Sequence, residues 1–173
     1  MKKVLITLAV IASCWSMGQE MDVTPPKEMK NLSFLVGNFR GSETYDFGGG
    51  PQKGASTIRS AIGVGGRWLV GTHSSKSKTM NLEGHHMLSY DKDMKKYRAW
   101  WFDNAGSYAM EMNGNFKGKT LVMTSLPTPV PGMAEPMVMR ASWTPVGSGG
   151  LKFVLETQQG GQWMKIMEGS YRK

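Results

Sequence analysis

From residue 38 onward the chain alternates between short runs of apolar, β-branched or aromatic residues and clusters of turn residues. The runs cover approximately Asn38–Asp46, Ser56–Val64, Trp68–Ser74, Leu82–Asp91, Tyr97–Asp103, Tyr108–Phe116, Thr120–Ser125, Met137–Pro145, Leu151–Thr157 and Trp163–Tyr171. Between them stand Gly48-Gly49-Gly50-Pro51, Gly65-Gly66, Asp91-Lys92-Asp93, Asn104-Ala105-Gly106, Gly118, Gly147 to Gly150 and Gly160-Gly161, residues that bend the backbone or accept a positive φ. Several runs alternate with a period of two, the signature of a strand buried on one face. Met137, Met139, Ala141 and Trp143 share a face opposite Val138, Arg140 and Ser142. Leu151, Phe153 and Leu155 alternate with Lys152 and Val154, and Tyr108, Met110 and Met112 with Ala109 and Glu111. About ten strands at near-regular spacing predict an all-β antiparallel sandwich or barrel. The connections are short, which favours antiparallel neighbours, and closure into a barrel removes the exposed edges. A barrel of this size is wide enough to hold a small ligand.

Two segments break the pattern. Lys27–Leu35 carries Met29, Leu32 and Leu35 at steps of three behind Pro25-Pro26, which predicts one short helix ending at Gly37. Such a helix suits the end of a barrel as a plug. Leu126 to Pro136 contains four prolines and no alternation, and reads as a long loop at a barrel mouth.

The N-terminus follows a different logic. Lys2 and Lys3 precede the apolar run Val4 to Ala12, and small residues follow, the layout of a secretory signal peptide. The run is too short to span a bilayer as a permanent helix. Two exits fit. Ser16-Met17-Gly18 is a small-x-small cleavage site that gives residues 1–18 as the signal. Ile11-Ala12-Ser13-Cys14 resembles a lipoprotein box, which would end the signal at residue 13 and lipidate Cys14. Both place the protein in the periplasm or cell envelope, soluble or lipid-anchored. Residues 19–26 then form an extended leader and 27–173 a single domain, an organisation that 173 residues with 40% apolar content can support.

Composition removes some functions. Cys14 is the lone cysteine, so neither an internal disulfide nor a multi-cysteine metal site is available. The formal charge is +8, but the cations are dispersed among turns, as in Lys76/Lys78, Lys92/Lys95/Lys96 and Lys117/Lys119. That pattern reads as solvated loops, not a nucleic-acid surface. Membrane contact is expected only through a lipid on Cys14.

No G-x-S-x-G elbow, H-E-x-x-H or phosphate loop is present, and Gly63 to Gly66 lacks the lysine that a phosphate cradle needs. These absences favour a binder over an enzyme. Fifteen methionines, including Met110, Met112, Met123, Met137 and Met139, read as adaptable packing before they read as soft metal ligands. His85 and His86 point to opposite faces of a strand, so they are no chelating pair, although a single inward histidine would suit haem or a metal. In Trp100-Trp101-Phe102-Asp103, Trp101 and Asp103 face one way and Trp100 and Phe102 the other. The candidate lining of a ligand site is His85, Tyr90, Trp101, Asp103 and Arg140, with Arg140 placed to pair with Asp103 or a ligand carboxylate.

Several fragments together resemble a bacterial domain-of-unknown-function family, number 1579. Phe34-Leu35-Val36-Gly37-Asn38-Phe39-Arg40-Gly41 resembles its F-L-V-G-x-W-x-G opening, and Gly65-Gly66-Arg67-Trp68-Leu69 its G-G-R-F-L. Glu83-Gly84-His85 with Tyr90-Asp91 is similar to its E-G-x-x-x-x-G-Y-D, with Ser89 in place of glycine. Lys96-Tyr97 with Trp101 and Asp103 resembles K-Y-x-x-x-W-x-D, and Tyr171-Arg172-Lys173 its ending. Phe39 stands where tryptophan is usual, and Trp100 where a small polar residue is common. The resemblance implies a lipocalin-like (calycin-like) exported barrel and no particular reaction. By analogy of fold it implies binding of a small hydrophobic or amphipathic molecule. A haem or metal barrel using one histidine, and an envelope interaction module using the Pro-rich loop, are the alternatives.

Overall fold

The computed structural model describes residues 22–130 and 134–173. The signal segment and Cys14 lie outside the described residues, as does part of the Pro-rich loop. A 3₁₀ helix spans Lys27–Leu35. In a 3₁₀ helix, side chains three apart eclipse one another, so Met29, Leu32 and Leu35 form a single buried line. The Met29 amide donates to the Pro26 carbonyl, the Val36 amide to that of Ser33, and Gly37, with φ of 134°, turns the chain into the first strand.

Ten strands follow: β1 (Gly37–Tyr45), β2 (Gln52–Gly63), β3 (Trp68–Lys76), β4 (Asn81–Asp91), β5 (Lys96–Asp103), β6 (Met110–Lys117), β7 (Thr120–Ser125), β8 (Met139–Val146), β9 (Gly150–Gln159) and β10 (Gln162–Arg172). Each is antiparallel to its neighbours in a closed barrel of order β1-β10-β9-β8-β7-β6-β5-β4-β3-β2. Closure pairs Arg40 with Arg172 and Tyr45 with Met167. Antiparallel order sends the connections alternately to the two ends. The helix, which packs on β3 and β4, shares one end with the β2–β3, β4–β5, β6–β7 and β8–β9 turns. At this end Tyr97 Oη donates to the Glu28 carbonyl at 2.9 Å and Asn31 Nδ2 donates to Tyr97 Oη at 3.1 Å. The Pro-rich β7–β8 connection lies at the opposite end. An antiparallel bridge between Thr128 and Met137 pinches that loop.

The structure shifts a few boundaries. β2 begins at Gln52, ahead of Ser56, because Gly54 and Ser56 face inward and gave no apolar signal. β6 begins at Met110, leaving Tyr108 in the preceding bend, and β8 begins at Met139, with Met137 held in the isolated bridge. A bulge between Lys165 and Met167 resets the alternation of β10, so that Met167, Gly169 and Tyr171 are buried.

Candidate functional site

The inner wall of the barrel has two chemically different halves. On β6–β9 the inward positions are almost all apolar: Met110, Met112, Leu121, Met123, Ala141 and Leu151 are buried, and Met139, Trp143, Phe153 and Leu155 are partly buried against them. On β1–β3 the inward positions mix apolar Phe39, Ile58 and Leu69 with Glu43, Ser56, Ser60, His73 and Ser75, all buried.

Glu43 and Ser75 are each 1% exposed and His73 7%. His73 Nε2 lies 2.7 Å from Glu43 Oε1 and 2.9 Å from Ser56 Oγ. Tyr171 Oη donates to the same Glu43 oxygen. Burial pushes the Glu43 carboxyl upward, but the paired His73, with the Tyr171 hydroxyl, pulls it below the usual carboxylate range. Burial and the Glu43 charge together drive the Tyr171 phenol well above its ordinary value. Four buried polar atoms on this wall have no hydrogen-bond partner among the described residues: Glu43 Oε2, His73 Nδ1, Ser75 Oγ and Tyr45 Oη. Buried polar groups in folded proteins are almost always satisfied, so a cluster of four such atoms sets this wall apart from the rest of the core.

Glycines allow this crowding. Tyr171 folds over Gly169, where a Cβ would sit 2.5 Å from Tyr171 Oη. His86 crosses the vacant face of Gly71 to meet Ser60 Oγ at 2.9 Å, and the Trp101 indole occupies the space a side chain on Gly84 would need. Burial and the nearby His73 lower the His86 pKa from 6.5 to about 4, so its ring is neutral at physiological pH.

The residues expected from sequence separate into two groups. Trp101 and Asp103 do face inward: Trp101 Nε1 donates to Asp103 Oδ2 at 2.5 Å, and the indole packs 5.6 Å from the His73 ring. Tyr90 also faces inward, but it stacks edge-on against Tyr97 at the helix-capped end, away from the polar wall. His85 is exposed on the outer wall; the parity set by buried Gly84 and Leu88 makes His86 the inward member of the pair. Arg140 is likewise outward. It pairs with Glu156 at 2.7 Å and lies 4.2 Å over the Trp163 ring, so it meets neither Asp103 nor the lumen. Trp100 faces out as well, 5.4 Å from Trp68 and beneath Arg98. Sequence reading missed Glu43, His73, Ser56, Ser75 and Tyr171. The available signal for Ser56 was its alternation against the outward cations Lys53 and Arg59 on β2, and for His73 and Ser75 their parity with buried Leu69 on β3.

Ser56, His73 and Glu43 do not compose a nucleophilic triad. A triad uses one imidazole nitrogen for the serine and the other for the acid, whereas here both partners share Nε2. The geometry holds a charge in place.

A closed ten-stranded antiparallel barrel with a helix at one end and an amphipathic interior defines a lipocalin-like protein. The chain belongs to the family described as protein of unknown function DUF1579, whose sequence pattern matches residues 24–173. Among solved structures it is similar to Rv2717c from M. tuberculosis, with a TM-score of 0.63, 12% identity, and coverage of 87% of this chain and 99% of that one. It is also similar to an S-type phycobiliprotein lyase from Guillardia theta, with a TM-score of 0.54, 10% identity, and coverage of 86% and 98%. At these identities the likeness shows the fold. A comparison with curated proteins returns no match.

Proposed function

We propose that this chain is an exported, non-catalytic carrier or sensor that binds a small hydrophobic or amphipathic molecule inside its barrel. The observation that carries the reading is the division of the inner wall. One half offers partly accessible apolar side chains, Met139, Trp143, Phe153 and Leu155. The other offers a buried polar cluster with four unpartnered atoms. A barrel serving only as a packed scaffold has no use for unsatisfied polar groups in its core, each of which costs roughly 1–3 kcal/mol. An amphipathic ligand satisfies both halves at once. Export rests on the basic start and the Val4 to Ala12 run.

The test is native mass spectrometry of the protein produced with its own leader, compared with the same sample denatured. The expected result is an added mass present only under native conditions, together with binding of the neutral apolar dye Nile red by the stripped protein. A bare native mass with no Nile red binding overturns the reading. The denatured mass reports the leader: acyl chains on Cys14 identify a lipoprotein, and a start at Gln19 a soluble protein.

A further inference from the structure

The inner wall carries two acids and, among the described residues, no lysine or arginine to match them; its bases are His73, paired with Glu43 at 2.7 Å, and His86. Glu43 and Asp103 both face the interior. Glu43 Oε1 is engaged by His73 and Tyr171, while Oε2 has no partner. Asp103 receives Trp101 Nε1 and the Ala105 amide. Among the described residues, the barrel's arginines and lysines stand on the outward face or at the ends: Arg40, Arg59, Arg98, Arg140 and Lys152 alternate with buried neighbours, and Lys173 lies over Phe39 at the helix-capped end.

Resting on the lumen as the binding site, we infer that the ligand is an amphipathic molecule whose head group donates hydrogen bonds and carries no negative charge, a long-chain alcohol or amine, and that the barrel rejects the matching carboxylate. The hydrogen-bond inventory supplies the reason. An ionised carboxyl only accepts, so Glu43 Oε2 is completed by a donor and by nothing else. A carboxylate head would find donors in Ser75 Oγ and Tyr45 Oη but would bring lone pairs and a like charge to Glu43 Oε2 inside a buried wall, where that repulsion is weakly screened. An alcohol or ammonium group donates to Oε2 while its chain lies along Met139, Phe153 and Leu155. The four unpartnered atoms are closed to solvent in this structure, so the head group reaches them as neighbouring side chains move aside. The selectivity also opposes the outer surface, because a chain of formal charge +8 attracts anions non-specifically. A preference for the amine therefore has to come from inside the barrel.

The experiment is displacement of Nile red from the full chain, as purified, by 1-dodecanol, dodecylamine and dodecanoate below their aggregation limits at neutral pH. We expect the alcohol and the amine to compete at least tenfold better than dodecanoate, and the amine-to-dodecanoate ratio to fall below threefold in Glu43→Gln. The wild-type ratio decides by itself, even if the variant folds poorly. Equal competition by all three, or stronger competition by dodecanoate, overturns the inference while leaving the lumen as a binding site. Failure of every probe, with no Nile red binding to displace, overturns the lumen reading beneath it.

Discussion

His86 and Glu43 couple folding to pH in the same direction, for opposite chemical reasons. The His86 pKa falls from 6.5 in the unfolded chain to about 4 in the barrel, chiefly through burial. The unfolded chain therefore takes up a proton first as pH drops. Full stability is present above about pH 6.5 and declines as pH falls toward 4, by up to about 3 kcal/mol from this group. Burial raises the Glu43 pKa, but His73 and Tyr171 outweigh it and hold the group below 4.5. Its contribution is present above the unfolded value and is lost as pH falls through the folded one. The two effects succeed one another as the solution is acidified. We expect urea midpoints to drop steeply between pH 7 and pH 4, and His86→Gln to flatten the upper part of that fall. A midpoint that stays constant over this range would remove histidine burial as the cause.

At the scale of the element, the polar wall depends on what is missing from the strands beside it. The Trp101 ring lies on Gly84 of β4, and a Cβ there would collide with the rigid indole. Gly84→Ala should push the ring away from Asp103 and His73, cost about 1–3 kcal/mol, and shift tryptophan emission to the red. An unchanged spectrum with full stability would show that the wall has slack. The same feature explains what could be read beforehand. The ten strands and the helix were legible, because turn glycines, alternation and the three-step spacing of Met29, Leu32 and Leu35 are local signals. Trp101 and Asp103 were legible on one face because strand parity is local too. The site itself was not, because the inward positions of β2 and β3 other than Ile58 and Leu69 are Gly54, Ser56, Ser60, Gly71, His73 and Ser75, residues that alternation treats as exposed. Arg140 is the opposite case: its parity, opposite Met139, Ala141 and Trp143, already places it outward, and only its partner Glu156, which arrives from β9, depends on a register that no local pattern reveals.

For the molecule as a whole, the decisive contact joins the two ends of the chain. β1 pairs with β10, and Tyr171 reaches Glu43 across 128 residues of sequence. Until that pair closes, the barrel has two open edges and Glu43 lacks one of its two hydrogen-bond donors. Such long-range closure is entropically costly and usually late, so this chain should fold slowly for its size and lose its strands together. Closure also assembles the polar wall, since Glu43 comes from β1, His73 from β3 and Tyr171 from β10. Tyr171→Phe tests this linkage gently: it removes one hydroxyl and keeps the ring over Gly169. We expect a loss of about 1–3 kcal/mol, the range for leaving a buried charged acceptor short of a donor. Amide exchange should then accelerate in β1, β10 and β3 alike, not in β10 alone. Exchange that rises only in β10 would mean that the last strand frays independently and that the wall stands without it.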